Sequence, residues 1–220
     1  MIPTLIALLI GSYLLGAVPV GVIVARSQGV NIFEVGSRST GATNVARAVG
    51  KKWAIIVFIL DVAKGVVPAL VARSLVHESI GGIHAQAIWF LCGVAAVVGH
   101  CASVFIGFRG GKGIATALGV GLAATPEVAL SAFGIFLLVF VVCRYVSLSS
   151  LVAVVSAVIL GLLVPGQAPE VVPIYGLIAI FVIYRHRTNI GRLLNGTEPK
   201  FEFKKKPSAN PSTDERSVDA

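Results

Sequence analysis

The chain has 220 residues, of which 56% are hydrophobic and only 13% charged, and its mean hydropathy of +0.90 lies outside the range of soluble globular domains. Long apolar runs fill most of it, which excludes an array of soluble domains, and they lack the short alternating strands of a membrane β-barrel. The formal net charge of +8 does not mark a nucleic-acid binder, because the cations sit between apolar runs and in the tail rather than in a basic domain.

The first apolar run has no basic stretch before it and continues past the length of a signal-peptide core, so it is expected to stay as a membrane helix. With that run, seven apolar segments can be drawn, at residues 4–25, 53–72, 85–106, 113–124, 128–145, 151–164 and 171–184. The fourth is short for a ~30 Å hydrocarbon layer and carries Gly119 and Gly121, which predicts a broken or close-packed helix. The predicted fold is therefore an all-α integral membrane protein, a bundle of seven transmembrane helices with short and broken members.

Seven crossings put alternate gaps on opposite sides. One set of gaps holds Arg26, Arg38, Arg47, Lys51, Lys52, Arg109, Lys112, Arg144, Arg185, Arg187, Arg192 and the basic tail, while the other holds Arg73 alone. By the positive-inside rule the N-terminus is expected outside and the C-terminus in the cytoplasm. Without a crossing at 113–124 the later basic gaps would change sides and the asymmetry would collapse. Residues 1–203 read as one membrane-embedded domain. Residues 204–220, basic and then rich in Ser, Pro, Asn and Asp, read as a disordered cytoplasmic tail.

The three cysteines, Cys92, Cys101 and Cys143, form no CxxC pair, and no metal cluster or cofactor motif is visible. Polar chemistry concentrates instead in glycine-rich gaps on the cationic side. The first, Gly36 to Arg47, combines hydroxyls, small residues and a helix start carrying an arginine, which suits an anion nest. The second holds Gly110-Gly111-Lys112-Gly113 at the opening of a helix, putting backbone donors, a positive dipole end and an ammonium at one point. It lacks the spacing of a Walker A loop. A lone lysine at a helix end also suits a snorkelling anchor, and His100 can equally cap or pack its helix.

The third gap, Arg185 to Glu198, puts His186 and Asn189 three apart, on one face if helical. Arg185, Arg187 and Arg192 can serve there as membrane anchors, a reading preferred for Arg187. A smaller gap from Arg144 to Ser150 adds the hydroxyls of Ser147 and Ser150 on the same side as candidate phosphate-binding groups, and equally suits a plain loop. Asp61 and Lys64, one turn apart, read as a structural packing pair.

The stretches GSRSTGATNVARAVG, GHCASVFIGFRGGKGIAT and RHRTNIGRLLNGTE, in this order, resemble the three signature motifs of the PlsY family of acyl-phosphate:glycerol-3-phosphate acyltransferases. GSYLLGAVPVGVIVAR and LDVAKG resemble that family too, so the likeness spans nearly the whole chain apart from the tail. One departure stands in the first motif, where the family's usual Gly-Ser-Gly-Asn reads Gly36-Ser37-Arg38-Ser39.

The resemblance implies transfer of a fatty acyl group from acyl phosphate, not acyl-CoA, to the 1-hydroxyl of glycerol 3-phosphate. Ser37, Thr43, Asn44 and Arg47 carry over to phosphate binding, with Ser37 also counted among the catalytic groups. Lys112 carries over to the catalytic centre, His186 and Asn189 to substrate binding and catalysis, and Glu198 to loop support. No cofactor is expected. The expected partners are the two substrates and membrane lipid, with functional coupling to the enzyme that makes acyl phosphate, and the chain is expected to act as a monomer.

The residue types agree with this chemistry. Two phosphate-bearing reactants repel unless cations and N–H donors neutralise them. Phosphate is already a good leaving group, so the site needs to orient, to stabilise an oxyanion and to remove one proton. That proton can go to His186 or, as the resemblance implies, to a substrate phosphate. Soluble-type glycerolipid acyltransferases need His-x4-Asp, yet five residues after His77, His84, His100 and His186 stand Gly82, Trp89, Phe105 and Gly191. A metal-dependent alcohol phosphotransferase needs several aspartates where the apolar region has Asp61 alone. A transporter of phosphorylated polyols is disfavoured by small, nearly uncharged outer gaps and no inverted repeat.

Overall fold

A computed structural model describes residues 2–202, so the predicted tail, 204–220, lies outside the described residues. Among them the regular structure is helical, with only isolated bridges joining Ile80 to Ile83 and Ser103 to Arg109. The helices are α1 (Ile2–Ala17), α2 (Val20–Ser27), α3 (Ala42–Ala48), α4 (Lys51–Leu75), α5 (Ala85–Cys101), α6 (Ile114–Ala124), α7 (Pro126–Cys143), α8 (Val146–Leu163), α9 (Val171–Arg185) and α10 (Arg187–Leu194). Four units are long and apolar enough to cross a membrane: Ile2–Ser27, α4, α7 and α8. Helices α5, α6 and α9 are apolar but shorter.

The first apolar run is two helices rather than one. Pro19 has no N–H to continue the ladder, and its ring clashes with the preceding turn, so α1 stops at Ala17 and α2 restarts at Val20. Carbonyls freed by the break find side-chain partners. Lys64 Nζ donates to the Val18 carbonyl at 2.6 Å and Ser103 Oγ to the Ala17 carbonyl at 2.5 Å. Lys64 is held in turn by Asp61 at 2.8 Å. The Asp61–Lys64 pair is thus a structural clamp, the charge of each buried member met by a partner.

Close helix crossings are made at glycines. A Cβ at Gly65 would collide with the Thr116 carbonyl, and one at Gly119 with that of Val62, so α4 and α6 approach backbone to backbone. Outward faces such as Ile2, Ile6, Ile10 and Leu14 of α1, or Leu130, Leu137, Leu138 and Val141 of α7, are exposed and apolar, as a lipid-facing surface requires.

Helix α6 runs antiparallel to α5. Gln86 at the start of α5 donates to the Ala124 carbonyl at the end of α6, at 3.2 Å, while Gly111 N–H before α6 donates to the His100 carbonyl near the end of α5, at 3.1 Å. Its 11 residues rise only ~16 Å. The turns before α6 and after α9 consequently meet at one end of the bundle.

Candidate active site

The three glycine-rich motifs converge on one cleft of about 530 Å³. Its head is polar, lined by Ser37, Thr43, Arg47, Lys112, Ser147, His186, Asn189 and Glu198. Its body is apolar, running between Ile55 and Phe58 of α4 and Ala132, Phe133, Phe136 and Phe140 of α7, over Ala117, Leu118 and Gly121 of α6. The far end meets Tyr175, whose hydroxyl shares a 2.5 Å hydrogen bond with Thr125.

At the head, Lys112 Nζ donates to Asn189 Oδ1 at 2.5 Å, and Asn189 Nδ2 donates to Glu198 Oε1 at 2.7 Å. Glu198 also accepts from Ser147 Oγ at 2.7 Å and from Arg192 Nε at 2.7 Å. One buried carboxylate therefore ties the α7–α8 corner, α10 and, through Asn189, the lysine of the glycine-rich turn. Burial opposes its charge, but these three donors together outweigh it and hold Glu198 below the usual carboxylate range.

Burial pushes the half-buried Lys112 ammonium down to about 8; Glu198 opposes the shift, while Arg192, Arg47 and Arg185 add to it. Two pH effects of opposite sign follow. The protonated form is the one that donates, so kcat/KM of the free enzyme is expected to hold below about pH 8 and to fall above it. Stability moves the other way: between about 8 and 10.5 the unfolded lysine binds more protons than the folded one, so stability rises through that window. Rate profiles and melting curves over the same buffers check both signs.

His186 is the hinge residue between α9 and α10, so the two helices are not continuous across the third motif. Its Nδ1 lies 2.8 Å from the Val182 carbonyl, an oxygen that only accepts, so Nδ1 carries the proton and Nε2 of the neutral ring is an acceptor. Burial, reinforced by Lys112, pushes its pKa down to about 4.

The glycine-rich turn is braced from both sides. Arg185 Nη2 donates to the Gly111 carbonyl at 2.8 Å, and a Cβ at Gly111 or Gly110 would run into the ring or carbonyl of His100. His100 thus packs beneath the turn, with Nδ1 3.5 Å from Asp61. Gly113 adopts φ +83, a left-handed conformation that suits glycine, and opens α6. Arg187 stacks on Tyr184 at 4.6 Å, whereas Arg185 and Arg192 bond to the Gly111 carbonyl and to Glu198.

Three residues expected at phosphate have other work for their side chains, Ser147 being the one already seen to donate to Glu198. Asn44 is 1% exposed; its amide donates to the carbonyls of Val35 at 3.0 Å and Ser39 at 2.9 Å and accepts from Ser37 N–H at 3.0 Å. It shapes the loop that presents Ser37. Ser150 lines the cleft but donates back to the Val146 carbonyl at 2.7 Å within the first turn of α8, so that stretch is helical rather than a loop.

Arg38, at the departure in the first motif, has φ +56, a conformation costing a non-glycine residue about 1 kcal/mol. Arg38→Gly is therefore expected to raise stability by about that amount, read as a higher melting temperature with turnover retained.

Among the described residues, no three His, Cys, Asp or Glu side chains gather to hold a metal ion. What the geometry brings together is a cationic head, an uncharged imidazole acceptor and an apolar groove, all lining one cleft.

A family model described as glycerol-3-phosphate acyltransferase matches residues 6–196. The glycerol-3-phosphate acyltransferase of Aquifex aeolicus is 47% identical over 194 residues, covering 88% of this chain and 97% of that protein. That of Synechococcus elongatus is 44% identical over 205 residues, covering 91% and 96%. Crystal structures of PlsY, an integral membrane glycerol 3-phosphate acyltransferase, match in the glycerol 3-phosphate form (TM-score 0.83) and the lysophosphatidic acid form (TM-score 0.80). Both are 44% identical and cover 90% of this chain and 96% of theirs. The chain belongs to the PlsY family of integral membrane glycerol-3-phosphate acyltransferases.

Proposed function

We propose that this chain transfers a fatty acyl group from acyl phosphate to the sn-1 hydroxyl of glycerol 3-phosphate, releasing inorganic phosphate and lysophosphatidic acid, the first acylation of phospholipid synthesis. The observation that carries the reading is the Lys112–Asn189 contact at 2.5 Å, set where a phosphate-binding head opens into an apolar groove. Related proteins solved in glycerol 3-phosphate and lysophosphatidic acid forms support it.

In the proposed mechanism, Ser37, Thr43, Arg47 and the N–H groups around Gly110 and Gly113 bind phosphate, the Gly111 N–H being taken by the His100 carbonyl, and Lys112 stabilises the oxyanion formed when the glycerol hydroxyl attacks the carbonyl carbon. The new C–O bond forms as the bond to phosphate breaks. His186 is a poor base, since a ring pushed down to about 4 is roughly a hundredfold weaker than a phosphate monoester of pKa ~6. A substrate phosphate therefore takes the proton, and His186 Nε2 orients the hydroxyl. Asn44 and Glu198 hold loops.

The same reading puts seven crossings through a bacterial inner membrane, N-terminus outside, with the head facing the cytoplasm and residues 1–203 forming one embedded unit. The cation-rich gaps and the convergence of the turns before α6 and after α9 support this odd count. The chain acts as a monomer, supplied by an enzyme that makes acyl phosphate.

The test uses purified protein, labelled glycerol 3-phosphate and either palmitoyl phosphate or palmitoyl-CoA. Labelled lysophosphatidic acid from the phosphate donor alone is expected. Product from the CoA ester at an equal rate would overturn the donor assignment.

A further inference from the structure

Four phenylalanine rings form a continuous ladder along the cleft. Phe133 and Phe136 stack with centroids 6.0 Å apart, Phe136 and Phe140 at 5.9 Å, and Phe140 meets Phe201 edge-on at 5.4 Å. All four line the cleft. The first three recur at helical spacing on α7, but Phe201 arrives on a non-helical strap that follows α10.

That strap is tied down across the head of the site. Phe201 N–H donates to the Arg144 carbonyl at 2.8 Å, Arg47 reaches the Pro199 carbonyl at 3.5 Å, and Lys51 Nζ lies 5.7 Å from the centroid of the Phe201 ring. Glu198, three residues earlier, is the carboxylate that orients Asn189. The Phe201 ring is half-buried and stands where cationic groups give way to the phenylalanine groove. The family model stops at residue 196, so this ring lies beyond the segment that defines the family.

We propose that Phe201 is a donor-binding residue, seating the first methylenes of the acyl chain beside the reacting carbonyl and keeping water from it. The proposal rests on the acyl-phosphate reading above. With its phosphate in the head, a donor must turn into the groove at the Phe140–Phe201 rungs, whatever its chain length. The contact is therefore common to short and long donors, unlike one at the Tyr175 end. Opening this point also admits water to the carbonyl, where it replaces the glycerol hydroxyl, forms the new C–O bond and releases free fatty acid and phosphate.

The full chain is assayed as wild type, Phe201→Ala and Phe201→Leu, with dodecanoyl and hexadecanoyl phosphate and varied glycerol 3-phosphate. In Phe201→Ala the donor KM is expected to rise about tenfold by the same factor for both donors, with the glycerol 3-phosphate KM within about twofold. Phe201→Leu is expected to fall between, and fatty acid released per product formed to increase in both. Unchanged donor KM and hydrolysis, a defect confined to the long donor, or an equal rise in both KM values with a lowered melting temperature would overturn the proposal. If Phe201→Ala does not fold, Phe201→Leu gives the same reading. Wild type inactive with both acyl phosphates would instead sink the underlying function.

Discussion

Lys112→Met is expected to lower kcat/KM by about a thousandfold, the scale of removing one preorganised donor from a transition-state oxyanion, while leaving the protein at least as stable as the wild type. The methionine keeps the unbranched stem in the cleft and removes only the ammonium. Burial already disfavours that charge, pushing it to about 8, so its loss relieves a desolvation penalty even as Asn189 Oδ1 loses its 2.5 Å donor. A more stable but inactive enzyme is the signature of strain kept for function. Turnover within tenfold of wild type would remove Lys112 from the catalytic centre, and a large drop in melting temperature would make it structural.

Glu198→Ala is expected to damage both stability and turnover. The carboxylate is 8% exposed and serves Ser147, Asn189 and Arg192 at once, so truncation strands three donors. The expected loss is about 2–3 kcal/mol, below that of a fully buried pair because Arg192 remains 35% exposed. Asn189 then loses the acceptor of its amide N–H, and Lys112 is left on a partner that nothing anchors. Activity should fall by about a hundredfold in protein that is still folded at low temperature. Glu198→Gln keeps the shape but turns an N–H toward Arg192 Nε, so it should recover only part of the stability. A melting temperature unchanged in Glu198→Ala would show that the hub does not hold the site together.

Much of this site is legible in the chain because its chemistry is local. Gly110 to Gly113 announce a glycine-rich helix opening by composition alone, and Arg47, His186 and Asn189 fall in the same gaps that supply the cleft head. The fourth apolar run, drawn over 113–124, emerges as Ile114–Ala124. What depends on closure in three dimensions is hidden. Pro19 breaks the first run, but only the structure reveals that Lys64 and Ser103 answer the freed carbonyls.

Asn44 looks like a ligand group in a polar loop and proves to be the loop's internal brace. Arg185 and Arg192 resemble ordinary interfacial cations until the Gly111 carbonyl and Glu198 are seen beside them. The i, i+3, i+7 recurrence of Phe133, Phe136 and Phe140 is a readable sign of a lined face. Its fourth rung, Phe201, has no periodic signal because it comes from a distant strap.

The central claim is that one head binds phosphate beside Lys112 while the acyl chain lies between α4 and α7. A crystal structure of the protein with a hydrolysis-resistant acyl phosphonate tests it most directly. The expected result has the phosphonate oxygens within hydrogen-bond reach of Lys112, Arg47 and Ser37, with the chain against Phe136 and Phe140. A phosphonate held elsewhere, or a chain outside the α4–α7 groove, would contradict it.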